Sequence, residues 1–403
     1  MKILVISNLY TPHEIGGYET RCRDMVDHFL KRGHEVRVLT SVHRVPGRSE
    51  IDMPYVVRKL RIHGMYGHPW LPLLSLFQLE RENHEVVQGQ LDEFRPDVIH
   101  VWNMGGISKS LLLRFEASGI PVAYVISDHW IARSLRADVW LSWWNGERGF
   151  ATRFMRQLLT WTGVRAWISQ RVPTSSWDQL KWERVSFCSA FLRDFTASRG
   201  WRVEQGTVIP CGIRTTTFAV KQDYSTFQKL MWVGRLAEDK DPLTAVRAMA
   251  LSKHQTLTLD LYGKGEEEYV NRLKQEIARL GLSDRVFLKS ATESEIRHLY
   301  AQYDALLFTS NWGEPFALTP LEAMSAGLPV ITSLDGGQAE LARHRENCLV
   351  ASAAEPETYA RCVDELAESE DLRRDLGQTE LREARECYDC EVVFQQMEKF
   401  LLP

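Results

Sequence analysis

The sequence predicts an α/β protein made of two parallel-sheet domains, and three observations carry that expectation. The chain has 403 residues, beyond the ~250–300 at which one hydrophobic core stops growing, so two domains are expected. Its composition, 44% hydrophobic and 25% charged, is that of an ordinary soluble globular protein and excludes a disordered or fibrous chain. Short β-rich runs alternate with helical stretches in both halves, the rhythm of parallel strands joined by crossover helices.

In the first half the runs are KILVISN, then the helical GYETRCRDMVDHFLKRG, then EVRVLT, DVIHVWN, a helix near 106–117, and PVAYVIS. The second half repeats the pattern with KLMWVGRL, a helix from about Pro242, LTLDLYGKG, a helix through RLKQEIARLG, RVFLKS, a helix through ESEIRHLYAQY, ALLFTS and PVITS. TVIPCGIRTTTF, with Pro210 and Gly212, places the linker near 206–222. The expected domains are therefore 1–205 and 206–388, with a final helix over 389–403 crossing back to the first. Open parallel sheets bind ligands beyond the carboxyl ends of their strands, so the chemistry is sought in strand-end loops facing an interdomain cleft.

Charge is distributed unevenly. Residues 1–200 hold 26 Lys and Arg against 20 Asp and Glu, and the remainder holds 23 against 33. Seven scattered cysteines, an odd number, fit free thiols in a reducing compartment, so a cytoplasmic protein is expected. MKILVISNLY is too short for a signal-peptide core, and no run approaches the ~18 apolar residues of a spanning helix.

The most informative segment is NWGEPFALTPLEAMSAGLPVIT, residues 311–332, between two strands. Pro315 biases Glu314 away from helical geometry, and Thr319 as N-cap, Pro320 at N1 and Glu322 at N3 form an expected capping box. Taken alone, Glu322 reads equally as that cap or as a ligand, whereas Glu314 has no such structural role. Free amides at the helix start suit a phosphate, and two carboxylates beside it require cations from elsewhere. GRLAEDKDP supplies Arg235 and Lys240 from the loop after the strand KLMWV. By themselves these two read as a solvated loop; with Glu314 and Glu322 they read as a binding set.

These motifs resemble the GT-B glycosyltransferases of family four: GRL with a Lys six residues after the Gly, then E-x7-E inside EPFALTPLEAMSAGLPVI. The similarity extends to GGYET, RPDVIHVWN, SDHW, SFCSAFLRDF, VIPCGI, YGKG and GGQAE. The resemblance implies two Rossmann-like domains and retaining transfer from a nucleotide-sugar donor. It implies that Arg235 and Lys240 hold the donor diphosphate, Glu322 the ribose hydroxyls, and Glu314 the sugar hydroxyls or developing positive charge. The amides of Phe316, Ala317 and Leu318 complete the phosphate site, and Gly16 and Gly17 match the glycine-rich loop that approaches it when the cleft closes. Without the other motifs, those two glycines read as a flexible loop and helix start.

Ala317 stands where the family commonly has Gly, and Cys211 precedes Gly212 where the family has Asn; neither removes an amide. Many relatives carry His then Asp after the PVAYVIS strand, whereas here Ser127 precedes Asp128 and His129. Asp128 and His129 are candidates for contact with sugar or acceptor, and a structural His is the equal alternative. No metal and no separate cofactor are expected, because the only D-x-D, Asp239-Lys240-Asp241, has the phosphate Lys at its centre. Cys387-x-x-Cys390 lacks a second pair for zinc. There is no G-x-G-x-x-G, G-x-x-x-x-G-K-[ST], H-E-x-x-H or G-x-S-x-G.

Residues 130–201 contain nine of the 13 Trp. From Arg148 to Trp177 there are five Arg and no acidic residue, and RFMRQLLTWTGVRAWISQRV has amphipathic helical character. Three readings stand: core packing with a solvated Arg face, peripheral contact of 148–177 with an anionic membrane, or an aromatic acceptor pocket. Nucleic acid is not expected, since the net charge is −4 and no binding module accompanies the basic stretch. The expected partners are a nucleotide-sugar donor and an acceptor with a free hydroxyl. A nucleotide-sugar epimerase and a non-catalytic nucleotide-sugar or glycan-binding protein are the alternatives.

Overall fold

The computed structural model describes residues 1–49 and 51–401, side chains 134–137 excepted. The chain divides into two compact units: Met1–Phe187 with Arg193–Ile209 and Gln396–Pro403, and Cys188–Leu192 with Pro210–Gln395.

The first unit carries β1 (Lys2–Ile6), β2 (Glu35–Ser41), β3 (Val56–Leu60), β4 (Val98–Val101), β5 (Val122–Ile126), β6 (Val185–Phe187) and β7 (Thr207–Val208). They form one parallel sheet in the order β3-β2-β1-β4-β5-β6-β7. Ile3, Leu4, Val5 and Ile6 are fully buried, because a parallel strand covered on both faces is apolar at every position. Its helices are α1 (Gly17–Lys31), α2 (Leu73–Phe94), α3 (Ser110–Ala117), α4 (Trp130–Ala137), α5 (Val139–Asn145), α6 (Phe150–Trp161), α7 (Val164–Arg171) and α8 (Ala190–Ser198); α8 begins in the short piece assigned to the second unit. In α1, Cys22, Met25, Val26 and Phe29 are buried at the i, i+3, i+4, i+7 spacing of one helix face. The helix expected near 106 begins instead at Ser110. Gly106 is left-handed at φ +74° and the Asn103 side chain turns the backbone at Gly105, so 103–109 is a loop.

The second unit carries β8 (Lys229–Val233), β9 (Thr258–Tyr262), β10 (Val286–Lys289), β11 (Ala305–Phe308), β12 (Val330–Thr332) and β13 (Leu349–Val350), in the parallel order β10-β9-β8-β11-β12-β13. Its helices are α9 (Pro242–Leu251), α10 (Glu267–Arg279), α11 (Glu293–Leu299), α12 (Leu318–Ser325), α13 (Pro356–Glu368) and α14 (Glu370–Cys387). The last helix, α15 (Cys390–Leu401), begins in the second unit and ends in the first. Residues 402–403 of the expected 389–403 segment lie outside the described residues. In the first unit Glu398 meets His28 at 3.3 Å and His34 at 3.1 Å.

Both sheets have the doubly wound order, in which the first strand lies at the centre and the chain reverses its direction of travel beside it. The switch points fall between β1 and β4 and between β8 and β11. Among the described residues no helix is long and apolar enough to cross a membrane. All seven cysteines are free thiols, Cys387 exposed and Cys390 buried.

Candidate functional site

The loops at the second switch point bring Lys240 and Glu314 together. Lys240 ends the 3-10 turn Glu238–Lys240 beyond β8, and Glu314 follows β11 by six residues. The turn is fastened to the end of β11 by the hydroxyls of Thr309 to the Asp241 carbonyl (2.7 Å) and Ser310 to the Asp239 carbonyl (3.1 Å). The Lys240 ammonium donates to Glu314 Oε1, which also accepts from Ser310 Oγ at 2.7 Å. It lies 5.2 Å from the Trp312 ring centroid. Glu314 is buried, and the Lys240 side chain is 19% exposed. Arg235, on the same loop, is 69% exposed and pairs with Asp239 at 2.7 Å.

Glu314 is extended, as the following proline demands, and bridges to Gly336 as a short parallel pair. The Gly337 amide donates to the Glu314 carbonyl at 2.6 Å. This approach requires glycine: a Cβ on Gly337 would lie 2.2 Å from the Pro315 carbonyl oxygen. From the other side, Ser189 Oγ donates to that oxygen at 2.6 Å and the Ala190 amide donates to Glu340 at 2.8 Å. The SFCSAF and GGQAE motifs therefore clamp the EPF turn.

The expected capping box does not form. The N-cap of α12 is Ala317, extended at φ −88° and ψ 101°, with no side-chain cap. Glu322 thus sits one turn inside the helix, out of reach of the N-cap amide. Pro315 and the Gly336 bridge hold the entering chain extended only as far as Ala317, so the helix begins two residues before Pro320. Pro320 at N3 is tolerated because first-turn N–H groups have no intrahelical acceptor anyway. The uncapped amides at Ala317 and Leu318 form an anion-favouring terminus. Phe316 and Ala317 are buried and Leu318 is half-buried.

Glu322 accepts instead from Tyr300 Oη at 2.8 Å. Burial raises its carboxyl from 4.5 to about 7, with the Tyr300 hydrogen bond pulling the other way. Since the folded value lies above the unfolded one, the folded chain binds more protons between these limits. The stabilisation tied to this proton is complete below about pH 4.5 and is lost as pH rises through about 7. Thermal unfolding from pH 4.5 to 7.5 is expected to fall further in wild type than in Glu322→Gln, and Tyr300→Phe is expected to push the fall to higher pH. Superimposable profiles would remove this role for Glu322.

The turn holding Tyr300 borders a cavity of about 470 Å³ at the carboxyl ends of β9 and β10, lined by Tyr262, Lys289, Glu295, His298, Leu299 and Gln302 among others. Its wall is fixed by Lys289 on Asp260 at 2.6 Å and by Tyr303, which donates to Asp260 and contacts Tyr262 Oη at 2.9 Å.

In the first unit, Gly16 is the N-cap of α1 and Gly17 its first residue. Gly16 cannot cap with a side chain; its amide donates to Glu19 Oε2 at 2.9 Å. Tyr18 donates to the Val125 carbonyl and Arg21 to Ser127 Oγ at 2.9 Å, tying the start of α1 to the end of β5. The Asp128-His129 pair separates here. Asp128 lines a cavity of about 210 Å³ with Tyr66, Trp70, Asn103, Lys109, Trp130, Arg133 and Asp138. His129 is buried with its ring edge-on to Phe195 at 4.9 Å. Lys109 donates to the carbonyls of Met104 and Ile107 at 3.2 and 3.1 Å, and Asp138 accepts the Lys109 amide at 2.6 Å. Lys109 and Asp138 escaped the sequence reading, as did Ser310 and Tyr300. Ser310 is the one with a signal, since it stands just after the apolar run ALLF, at a strand's carboxyl end.

Two doubly wound parallel sheets, with a Lys–Glu pair at the second switch point, define a GT-B protein. The profile of Glycosyltransferase Family 4 matches residues 15–217 and that of Glycosyl transferases group 1 matches residues 214–382. The chain belongs to glycosyltransferase family 4 and is a glycosyltransferase. It is 26% identical to an uncharacterized glycosyltransferase of Methanocaldococcus jannaschii over 385 residues, 90% of this chain and 88% of that one. It is 31% identical to spore coat protein SA of Bacillus subtilis over 164 residues, 38% of this chain and only 43% of that protein. The fold matches Anabaena HepE in complex with UDP, with TM-score 0.69, 21% identity and coverage of 100% of this chain and 99% of that one. It also matches sucrose-phosphate synthase from Thermosynechococcus elongatus, with TM-score 0.68, 19% identity and coverage of 99% and 97%.

Proposed function

We propose that the chain transfers a sugar from a nucleoside-diphosphate sugar to an acceptor hydroxyl with retention at the anomeric carbon. It does so in the cytoplasm, with no metal and no cofactor beyond the donor. The observation that carries this reading is the Lys240–Glu314 pair at the switch point, beside the uncapped terminus of α12. The diphosphate takes Lys240, Arg235 and the amides of Phe316, Ala317 and Leu318; Glu322 takes ribose hydroxyls; the 470 Å³ cavity beside Tyr300 takes the nucleoside. Glu314 faces the sugar. Side-chain cations at the leaving group do the work that a metal does elsewhere, and stabilising that charge is the main catalytic term. The UDP-bound HepE structure supports a nucleotide donor by analogy of fold. The Asp128 cavity takes the acceptor, with Asp128 rather than the inward-turned His129 in contact.

The test is incubation with a panel of nucleotide sugars and glycan, lipid-linked and small-molecule acceptors in EDTA, following nucleoside diphosphate release and the product's anomeric configuration by NMR. Release coupled to a product with the donor's configuration is expected. Inversion would contradict retention, an epimer formed without acceptor would make the chain an epimerase, and donor binding without turnover would make it a binding protein.

A further inference from the structure

Five of the nine Trp in 130–201 are core residues: Trp130, Trp140, Trp144, Trp182 and Trp201 are at most 7% exposed. Trp161 and Trp167 are different, at 86% and 49% exposed. They lie on the hairpin α6–α7, whose turn is made by Gly163, left-handed at φ +77°. Neither helix buries a single residue fully. The inner side of the hairpin rests through Leu159 and Ile168 on a core of Leu76, Trp140, Leu141, Trp144 and Val172. The outer side carries Phe150, Phe154, Leu158 and Trp161, spaced i, i+4, i+8, i+11 and 84%, 59%, 43% and 86% exposed. That spacing puts all four on one helical stripe.

We propose that the α6–α7 hairpin docks this protein on an anionic lipid surface. Arg148 and Arg153 are exposed beside the stripe, while Arg156 and Arg165 turn to the Gly146 and Thr174 carbonyls at 2.9 and 3.2 Å and Arg171 lies over the Trp167 ring at 4.1 Å; no acidic residue stands between Arg148 and Trp177. Arg156 is held below the usual guanidinium range, first by burial and then by Arg148, Arg165 and Arg153, so the positive charges sense one another. An exposed aromatic and aliphatic stripe flanked by arginines matches the boundary between headgroups and acyl chains, where rings bury and guanidinium groups meet phosphate. A second copy of the chain is a poorer occupant: a two-fold contact sets the same patch against itself, arginine against arginine. The two cavities described above are lined by other residues, so a pocketed glycan is not served here. This surface is independent of the reaction proposed above.

The experiment is sedimentation of the full chain with vesicles of phosphatidylcholine alone and with one-third phosphatidylglycerol, without donor or acceptor. Binding is expected to the anionic vesicles at low salt and to be lost at 1 M salt, where the Debye length is about 3 Å. Arg148→Gln with Arg153→Gln is expected to weaken partitioning about 30-fold, roughly fivefold for each charge near the surface. Phe154→Ser with Trp161→Ser is expected to weaken it at least about 100-fold by removing two insertable side chains. Both pairs are exposed, and unchanged thermal unfolding will confirm that the variants fold. Absence of binding to anionic vesicles at low salt, or equal binding to both vesicle types, overturns the proposal. So does vesicle binding that survives the Phe154 and Trp161 changes while heparin competes for it, which would make the patch a polyanion site. A dimer in solution that the same changes dissolve would make the occupant a second copy.

Discussion

Replacing Lys240 with Ala is expected to lower kcat/KM about 1,000-fold, the upper end for loss of one preorganised charge contact at a developing anion. Arg235→Ala is expected at the lower end, about 100-fold. The difference follows from their surroundings: Arg235 is 69% exposed and screened by water, whereas Lys240 is 19% exposed against a buried carboxylate. Lys240→Ala also does damage of a second kind, because it leaves Glu314 charged and without its cation where the phosphate must bind. Adding Glu314→Gln to Lys240→Ala should therefore restore part of the donor affinity, so the two changes will not be additive. Steady-state kinetics and donor titration on the two single variants and the double variant check this. Full additivity would mean that the pair does not act as a unit.

Gly337→Ala is expected to destabilise the chain by about 3 kcal/mol, the upper range for forcing one extra carbon into a packed site. Its Cβ would stand 2.2 Å from the Pro315 carbonyl oxygen and 3.0 Å from that of Glu314. Backbone on both sides must move, and with it Glu314, so activity should fall even where the variant remains folded. Gly89→Ala is the matched control: it lies inside α2 with nothing within 4 Å of its Cβ, and Ala there is expected to gain about 1 kcal/mol through helix propensity. Thermal unfolding of both variants decides the matter. Equal shifts would show that the Glu314–Gly336 bridge is loose.

Much of this arrangement was legible in the sequence, because parallel strands buried on both faces announce themselves as apolar runs such as KILVI and ALLF. The strand-end positions of Lys240 and Glu314 followed from those runs. The capping box on Thr319 was misread because local chemistry at Thr319 and Pro320 competes with a long-range constraint. Gly336, 19 residues after Ala317, holds the entering chain extended, and no local pattern contains that. Tyr300 was invisible for the same reason: it reaches Glu322 across 22 positions. Asp128 and His129 stood equal in the sequence and unequal in the fold, where Asp128 lines a cavity and the imidazole is buried edge-on to Phe195, a contact across 66 positions. In the Trp-rich region Trp140 and Trp144 pack in a core, which the first of its three readings expected, while Trp161 is exposed, and contact with a membrane is the proposal made above.

The most direct test of the donor site is thermal unfolding of wild type and Arg235→Ala with UDP, GDP, ADP, CDP and dTDP, each with and without EDTA. Saturation near 100 times Kd adds about 2.7 kcal/mol to stability. The account predicts a shift with one nucleotide that survives EDTA and is sharply reduced in Arg235→Ala. A shift that EDTA abolishes, or none with any nucleotide, would contradict it.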